Sequence, residues 1–204
     1  SIIIPAYNVA DYLEKCVKSV LIQEFKDYEI LIINDGSTDT TAIVADKLSA
    51  ENTNKVRVLN QKNGGASKAR NTGIESAWGE YLLFLDGDDF WSNPDFLDKL
   101  SKNIDKFRSD VIIFSYNKYY GLDDSVRVSF DFVPDYGGTK ENIKGLVKNE
   151  ILTAPAWNKC VKKNLFEQGL DFPIGFLSED CLYCAKLLKM ISTYSIVNID
   201  CYQY

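Results

Sequence analysis

The sequence predicts an α/β domain with a mostly parallel central sheet flanked by helices. Short apolar runs at residues 2–4, 28–33, 56–59 and 81–85 alternate with segments of helical periodicity. Repeats of a strand followed by a helix indicate a parallel sheet with helices on its faces. Because crossovers between parallel strands are right-handed, we expect ligands at the carboxyl ends of these strands.

The helices of the first half follow from spacing and from capping residues. Apolar side chains at i, i+4, i+7 and i+8 mark one face of a first helix. Ser37 or Thr38 is expected to cap a second helix that runs to about residue 50, and a third covers about residues 66–77. The apolar face of the first helix consists of Leu13, Val17, Val20 and Leu21.

The second half is less regular than the first. Residues 119–138 are aromatic and acidic without a clear period, and we interpret them as a strand pair or an excursion from the sheet. No internal repeat or low-complexity linker divides the chain, so we expect one domain over residues 1–204. The other expected elements are a helix from Asn93 and Pro94 to about residue 107, a strand at 111–114, and helices at about 140–148 and 179–191.

Composition excludes some classes of partner. The formal net charge is −6, with 46% hydrophobic and 25% charged residues, as in an ordinary soluble globular protein. A nucleic-acid binder needs a basic face, so that partner is disfavoured. Five cysteines, an odd and sparse set, favour a reducing compartment over a disulfide scaffold.

Targeting segments are not evident in the sequence. No apolar run approaches the roughly 20 residues that a membrane span needs, and there is no signal-peptide pattern. The chain begins in a predicted strand and without Met, so we interpret it as a trimmed domain whose missing tails could carry a membrane anchor.

Three carboxylates follow one buried strand within four positions. They are Asp86, Asp88 and Asp89, directly after residues 81–85. Carboxylates this close repel one another unless a cation is shared among them. Mg²⁺ or Mn²⁺, with oxygen ligands from the protein and a diphosphate, would supply that charge. The alternative is an acidic turn that starts the next helix.

A fourth acid, Asp35, also stands at the carboxyl end of a strand. A carboxylate there could accept hydrogen bonds from a base N–H or a ribose hydroxyl. The neighbouring Ser37, Thr38 and Asp39 are better explained by a turn and a helix cap, with Asp39 complementing the helix dipole.

A glycine pair precedes the third helix. Gly64 and Gly65 allow the backbone to approach a ligand closely, and Lys68 and Arg70 add positive charge near any phosphate. The segment is neither a Walker loop nor a dinucleotide fingerprint. A glycine turn before an ordinary amphipathic helix is the competing interpretation.

The last helix begins with an acidic pair, Glu179 and Asp180, after Ser178 as its expected N-cap. The helix dipole alone favours acids in a first turn. The chain has no histidine, however, so a general base must come from another residue type, and a carboxylate is the natural candidate.

A Cys-x-x-Cys pair lies on the same helix. We expect Cys181 and Cys184 to be buried with Leu188 and Ile191 on one apolar face. One such pair does not support a four-thiolate zinc site.

Four motifs occur in order along the chain: IIIPAYN at residues 2–8, NDGSTD at 34–39, NGG at 63–65 with ARNTG at 69–73, and DGDD at 86–89. This set closely resembles glycosyltransferase family 2, the GT-A-fold family of inverting enzymes that use nucleotide-diphosphate sugars. The resemblance is dense over about the first 100 residues and resumes more weakly at residues 156–159 and at Glu179-Asp180. Each motif alone is weak, whereas the ordered set at matching spacing is specific.

The resemblance implies that the first motifs bind the donor. Asp35 would read the uracil or its equivalent, and Asp86 would contact the ribose region or a water on the metal. The other residues expected at the donor are Pro5, Ala6, Tyr7, Asn8, Gly64, Arg70 and Gly87.

The resemblance also implies a divalent cation, Mn²⁺ or Mg²⁺, that bridges the diphosphate. Asp88 would coordinate it, with Asp86 as the second metal-site residue. Asp180 would be the general base, in a partly desolvated position. Trp157 and Lys159 would lie near the acceptor or the product phosphate.

The function implied by this resemblance is inverting, metal-dependent sugar transfer, with a UDP-sugar as the leading donor. Residues 1–110 would form the nucleotide-sugar half and residues 111–204 the acceptor half. The acceptor would be a glycan or glycolipid of bacterial cell-surface polysaccharide or glycolipid synthesis. The expected place is the cytoplasm, with peripheral association at the cytoplasmic face of the membrane.

Three other functions remain as alternatives. A haloacid-dehalogenase-type phosphatase also ends a strand in Asp-x-Asp, but its pattern expects Thr or Val where this chain has Phe90. A nucleotidyltransferase would need a glycine- and lysine-rich N-terminal loop, which is absent from the sequence. A non-catalytic sugar-nucleotide-binding domain is disfavoured because both a metal candidate and a base candidate are present.

Overall fold

The computed structural model describes residues 1–119, 125–128, 134–148 and 155–203. The first half is built from alternating strands and helices, as predicted. Its elements are β1 (Ile2–Ala6), α1 (Ala10–Leu21), β2 (Ile30–Asn34), α2 (Thr41–Glu51), β3 (Val56–Asn60), α3 (Ala66–Ser76), β4 (Tyr81–Phe84), β5 (Phe90–Trp91) and α4 (Phe96–Phe107).

The second half adds strands to the same sheet and places three further α-helices around it. Its elements are β6 (Val111–Tyr119), β7 (Ser125–Val128), β8 (Tyr136–Gly138), α5 (Thr139–Lys148), a 3₁₀ turn (Ala156–Asn158), β9 (Lys159–Lys162), α6 (Lys163–Glu167), α7 (Glu179–Met190) and β10 (Thr193–Gln203).

The sheet has the strand order β3-β2-β1-β4-β9-β6-β10-β5, with β7 on β6 and β8 on β10. Strands β3, β2, β1 and β4 are mutually parallel. Strand β9 is antiparallel to both β4 and β6, so β6 runs in the direction of β4, and β10 is parallel to β6. The central sheet is therefore mostly parallel, and it has the predicted α/β class.

The first strands are buried because their apolar runs are covered on both faces. Ile2, Ile3 and Ile4 of β1 are at most 1% exposed, and every residue of β2 is buried. Continuous apolar runs of this kind are typical of parallel strands with helices packed on both faces. Since β1, β2 and β4 are neighbours and parallel, their carboxyl ends meet at one edge of the sheet.

The described part of residues 119–138 contains two short strands, β7 and β8, which join the main sheet at separate places. Strand β7 pairs antiparallel with β6, with Tyr119 opposite Ser125. Strand β8 pairs with the beginning of β10. Residues 120–124 and 129–133 lie outside the described residues.

The expected cap of the second helix is wrong by a few residues. Helix α2 begins at Thr41, and the carboxylate of Asp39 accepts a hydrogen bond of 2.9 Å from the Thr41 N–H. Ser37 and Thr38 belong to the preceding turn, where the Thr38 N–H donates to the side chain of Asn8 at 2.8 Å. Ser37 and Thr38 thus lie before the helix, and the first helical N–H is satisfied by Asp39, which precedes the N-cap residue Thr40.

The expected burial of both cysteines on the last helix is half wrong. Cys184 is buried, but Cys181 is exposed. The buried face of α7 instead contains Tyr183, whose ring stacks on Phe172 with centroids 4.0 Å apart. Because α7 buries the face that contains Tyr183, Cys181 in the first turn faces solvent.

The described ranges contain no helix that combines the length and the apolar character needed to cross a bilayer.

Close packing of α3 on β1 predicts the effect of one substitution. A Cβ at Gly73 would come within 2.4 Å of Cγ2 of Ile3, which is fully buried. We expect Gly73→Ala to lower the free energy of unfolding by roughly 1–2 kcal/mol, because overpacking outweighs the better helix propensity of Ala.

Urea denaturation checks this prediction, with Glu75→Ala on the exposed face of the same helix as the control. The control should stay within about 0.5 kcal/mol of the parent protein. A Gly73→Ala protein as stable as the parent would show that α3 can move away from β1 without cost.

Candidate active site

A cleft of about 450 Å³ opens where β1, β2 and β4 end. This is the sheet edge at which the sequence predicts a ligand site. Most of the predicted donor and metal residues line it, namely Pro5, Ala6, Tyr7, Asp35, Arg70, Asp86, Gly87 and Asp88. Asn8 and Gly64 lie beside the cleft and are not among its lining residues.

The guanidinium group of Arg70 joins the two sides of the site. Its Nη2 lies 2.9 Å from the Asp86 carboxylate, and its Nη1 lies 3.3 Å from Asp180 and 3.4 Å from Glu179. Arg70 is only 5% exposed, and it lies over the ring of Phe172. A single buried cation therefore connects the loop after β4 to the first turn of α7.

Burial and charge oppose each other in this network. Burial penalises the charged form of Arg70, but the carboxylates of Asp86, Asp180 and Glu179 raise its pKa overall. Burial raises the pKa of Asp86, and the neighbouring guanidinium counteracts part of that rise. The pairing thus compensates charges that would be costly to bury alone.

The predicted base, Asp180, is held by groups on both of its oxygens. Its Oδ1 faces Arg70, and its Oδ2 accepts a hydrogen bond of 3.2 Å from the Ala156 N–H. The side chain is 22% exposed. This agrees with the expected partly desolvated position, since the carboxylate keeps access to solvent while its orientation is fixed.

Asp35 is nearly buried and holds the glycine loop. Its Oδ1 accepts hydrogen bonds from the Gln61 side chain at 2.6 Å and from the Gly64 N–H at 2.9 Å. Its Oδ2 accepts one from the Gly65 N–H at 2.7 Å. Gly65 has φ +84°, a conformation that favours glycine. Asp35 therefore fixes the backbone that precedes α3, the helix that carries Arg70.

Asn8 shapes the neighbouring loop. Its φ of 54° lies in the left-handed region, which Asn tolerates better than most residues. Its side-chain oxygen accepts hydrogen bonds from the N–H groups of Thr38 and Asp39. The residue thus ties the end of β1 to the turn after β2.

The three acids after β4 have different surroundings. Asp86 pairs with Arg70, and Asp89 accepts a hydrogen bond of 2.7 Å from the Tyr202 hydroxyl. Asp88 is exposed and lines the cleft. The cation that compensates Asp86 in this structure is therefore the guanidinium of Arg70.

The carboxylates at the cleft suit a hard divalent ion that takes its other ligands from a substrate. Within the described part of the chain, no group of three or more His, Cys, Asp or Glu side chains is arranged to hold a metal ion. Mg²⁺ typically binds one or two protein carboxylates and completes its sphere with phosphates and water. Asp88, facing a cleft with Asp86 beside it, matches that requirement better than a closed all-protein cage.

Trp157 and Lys159 do not face the cleft. Trp157 is 4% exposed and stacks on Tyr202, and Lys159 is fully buried. The Lys159 ammonium donates hydrogen bonds to the Pro155 carbonyl and the Asn158 side chain. Protein groups therefore surround both side chains, and the expected place of these residues near an acceptor or phosphate stays a prediction.

Several residues that shape the site were not predicted. Gln61 holds Asp35 and accepts a hydrogen bond of 2.6 Å from the Thr72 hydroxyl. Ala156 binds the base through its backbone, and Tyr202 binds the acidic loop. Backbone donors leave no sequence signal. Tyr202 carries only a weak one, an aromatic residue in a polar segment.

The family assignment comes from comparison with known proteins. The model of "Glycosyl transferase family 2" matches residues 1–169 of the 204. The chain therefore belongs to glycosyl transferase family 2, as its motifs predict. The comparisons do not favour the phosphatase or the non-catalytic alternative.

The relatives are named glycosyltransferases and synthases of larger size. Glycosyltransferase GlyA of Streptococcus pneumoniae is 33% identical over all of this chain, which spans 30% of GlyA. Chondroitin synthase of Pasteurella multocida is 34% identical over 78% of this chain, which corresponds to 16% of that protein. The chain thus spans only a minor part of these relatives.

Solved structures confirm the GT-A fold. S. aureus TarS in complex with UDP-GlcNAc matches all of this chain with a TM-score of 0.83 and 25% identity, over 57% of its own chain. The mannosyltransferase PcManGT of Pyrobaculum calidifontis, in complex with GDP-Man and Mn²⁺, matches all of this chain with a TM-score of 0.73. At 17% identity over 55% of its chain, PcManGT supports the fold alone.

The surroundings of Asp89 predict a pH dependence of stability in the metal-free protein. Burial raises the pKa of Asp89 to about 7, whereas the pKa of Asp in an unfolded chain is about 3.9. The folded state therefore binds the Asp89 proton more tightly than the unfolded state does. The stabilisation that Asp89 gives to the folded state is complete below about pH 4 and is lost as the pH rises through about 7.

We therefore expect Asp89→Asn to become progressively more stable relative to the parent protein between pH 5 and pH 8. Urea midpoints in EDTA at the two pH values measure the difference. Asp46→Asn, at an exposed position of α2, is the control and should keep the pH dependence of the parent protein. Equal pH dependence in the Asp89→Asn and parent proteins would contradict the prediction.

Proposed function

We propose that this domain transfers a sugar from a UDP-sugar to an acceptor hydroxyl with inversion at the anomeric carbon. The observation that carries the proposal is the connection made by Arg70. It joins Asp86, at the mouth of the donor cleft, to the Glu179-Asp180 pair. The side chain of Arg70 thus contacts both the candidate donor site and the candidate base.

The cleft offers the groups that a nucleoside diphosphate needs. Backbone of β1 and the glycine loop line it, and the N-terminus of α3 faces the same space. A helix N-terminus and a nearby guanidinium both favour phosphate oxygens. We place the nucleoside against Pro5, Ala6 and Tyr7, and the diphosphate towards Asp88.

Asp88, with Asp86 beside it, would hold the divalent cation. When bound, Mn²⁺ or Mg²⁺ would stabilise the negative charge that develops on the departing diphosphate. On the protein side, Arg70 keeps Asp86 in place and lowers the cost of collecting several acids around one cleft.

Asp180 would take the acceptor proton. The acceptor oxygen forms a bond to the anomeric carbon while the bond from that carbon to the diphosphate oxygen breaks. The hydroxyl proton passes to a carboxylate oxygen of Asp180, and the nucleoside diphosphate leaves. The Ala156 N–H and Arg70 orient that carboxylate before the acceptor arrives, which favours general-base catalysis.

The choice of donor and acceptor follows the relatives. The UDP-GlcNAc complex of TarS supports a UDP-sugar, and the chondroitin synthase among the relatives supports a glycan as acceptor. A glycolipid acceptor, peripheral association with a membrane and a cytoplasmic site complete the proposal. Cys16, Cys160 and the other three cysteines are thiols rather than halves of disulfides, which supports a reducing compartment.

Two isosteric substitutions should separate binding from chemistry. We expect Asp88→Asn to lose the gain in UDP affinity that Mn²⁺ gives, because a neutral amide is a poor ligand for a hard cation. Asp180→Asn should keep Mn²⁺-dependent UDP binding within about threefold. It should also release UDP from UDP-GlcNAc at least about 100-fold more slowly, the usual contribution of a general base.

Calorimetry with UDP in Mn²⁺ or EDTA, followed by UDP release from a panel of UDP-sugars, measures both effects. Asp46→Asn is the matched control and should behave as the parent protein. An Asp180→Asn protein with full turnover would reject the base assignment, and an Asp88→Asn protein with an undiminished Mn²⁺ effect would reject the metal assignment.

A further inference from the structure

The strongest unassigned feature near the site is a pair of stacked aromatic rings behind it. Trp157, in the 3₁₀ turn Ala156–Asn158, stacks on Tyr202 of β10 with centroids 4.0 Å apart and an interplanar angle of 14°. The ring of Tyr116 meets Trp157 edge-on at 4.7 Å. Both stacked side chains are buried, so neither contacts a substrate directly.

Tyr202 binds the acidic loop at two points. Its hydroxyl donates to the Asp89 carboxylate at 2.7 Å and accepts from the Asp86 N–H at 3.3 Å. These contacts hold the residues on both sides of Asp88. Because a short loop fixed at both ends has little freedom left, these two hydrogen bonds restrict the position of the backbone that carries Asp88.

The turn that carries Trp157 also binds the candidate base. The Ala156 N–H donates to Oδ2 of Asp180 at 3.2 Å. The same turn is fixed from behind by Lys159, whose buried ammonium donates to the Pro155 carbonyl at 2.7 Å and to the Asn158 side chain at 2.6 Å. Trp157 directly follows Ala156 in this turn, so a displacement of its backbone would also move the Ala156 N–H.

Strand irregularity brings Tyr202 to this position. Strand β10 pairs in register with β6 up to Val197, and then the register shifts so that Tyr202 lies opposite Tyr116. The end of β10 also pairs with β5, where Trp91 lies opposite Tyr202. The last part of the described chain is thus folded back onto the loop that follows β4.

We propose that Trp157 and Tyr202 are positioning residues that hold the acidic loop and Asp180 in one fixed arrangement. The inference rests on the proposed function, because it assigns these residues to the same metal site and the same base. It predicts two separable effects. The Tyr202 hydroxyl acts on metal-dependent donor binding, and the Trp157 ring also acts on turnover through the Ala156 N–H.

The test uses Tyr202→Phe, which keeps the ring stack and removes only the hydroxyl. We expect at least tenfold weaker UDP binding in Mn²⁺ and a change of less than twofold in EDTA. Tyr194→Phe is the matched control on the same strand, since its buried hydroxyl has no hydrogen-bond partner among the described residues. The control should keep both affinities within twofold.

A second pair of variants breaks or keeps the same hydrogen bond from its other side. Asp89→Ala removes the acceptor of the Tyr202 hydroxyl and should reproduce the Mn²⁺-dependent loss, whereas Asp89→Asn keeps an acceptor oxygen and should recover most of the affinity. Trp157→Leu should in addition slow UDP release from saturating UDP-GlcNAc at least tenfold. These variants keep the inference testable if Tyr202→Phe does not fold, as judged by circular dichroism.

The outcomes distinguish the inference from the function on which it rests. If the parent protein shows no gain in UDP affinity from Mn²⁺, the proposed metal site fails. If the parent protein shows that gain, and folded Tyr202→Phe and Asp89→Ala proteins show it equally, the positioning role is overturned. Equal losses in Mn²⁺ and EDTA would also overturn it, because a purely structural defect does not depend on the metal.

Discussion

The ion pairs of Arg70 are the interaction on which the rest of the site depends. One guanidinium group, almost inaccessible to solvent, lies between a carboxylate after β4 and two carboxylates at the start of α7. Each acid is itself partly buried, and together they would repel one another without a cation. The arrangement of the site therefore requires that α3 places Arg70 between these carboxylates.

The contacts around α3 serve that requirement. Asp35 holds the glycine loop at the start of the helix, and Gln61 links Asp35 to Thr72 within it. Gly73 allows the helix to lie directly on β1. Buried ion pairs add little net stability against apolar packing, but they are costly to break. The network is thus better understood as fixing geometry than as stabilising the fold.

The parts of the site that come from strand ends could be predicted from the sequence. Asp35 and Asp86 follow apolar runs, and parallel strands bring their carboxyl ends together at one edge. The role of Arg70 as the common partner could not be predicted, because Glu179 and Asp180 are 109 and 110 positions away along the chain. Only the packing of α7 on the sheet decides which acids it meets.

Aromatic packing accounts for the orientation of Cys181 and the burial of Trp157, and lysines account for the unpredicted strand β9. Cys181 faces outward because Tyr183 provides the buried anchor of α7. Strand β9 carries lysine at both ends, which hides its burial from a hydropathy pattern. Trp157 resembles an acceptor-binding residue in sequence, yet the ring of Tyr202 covers it. Such pairings involve residues far apart in sequence, so local patterns do not contain them.

The most direct measurement is a crystal structure of the 204-residue chain with UDP and Mn²⁺. The diphosphate should lie in the cleft, with Asp88 in the coordination sphere of the ion and Arg70 still within hydrogen-bond distance of both Asp86 and Asp180. A nucleotide bound elsewhere on the sheet, or an Arg70 side chain detached from Asp180 in the complex, would contradict the central role of this one buried cation.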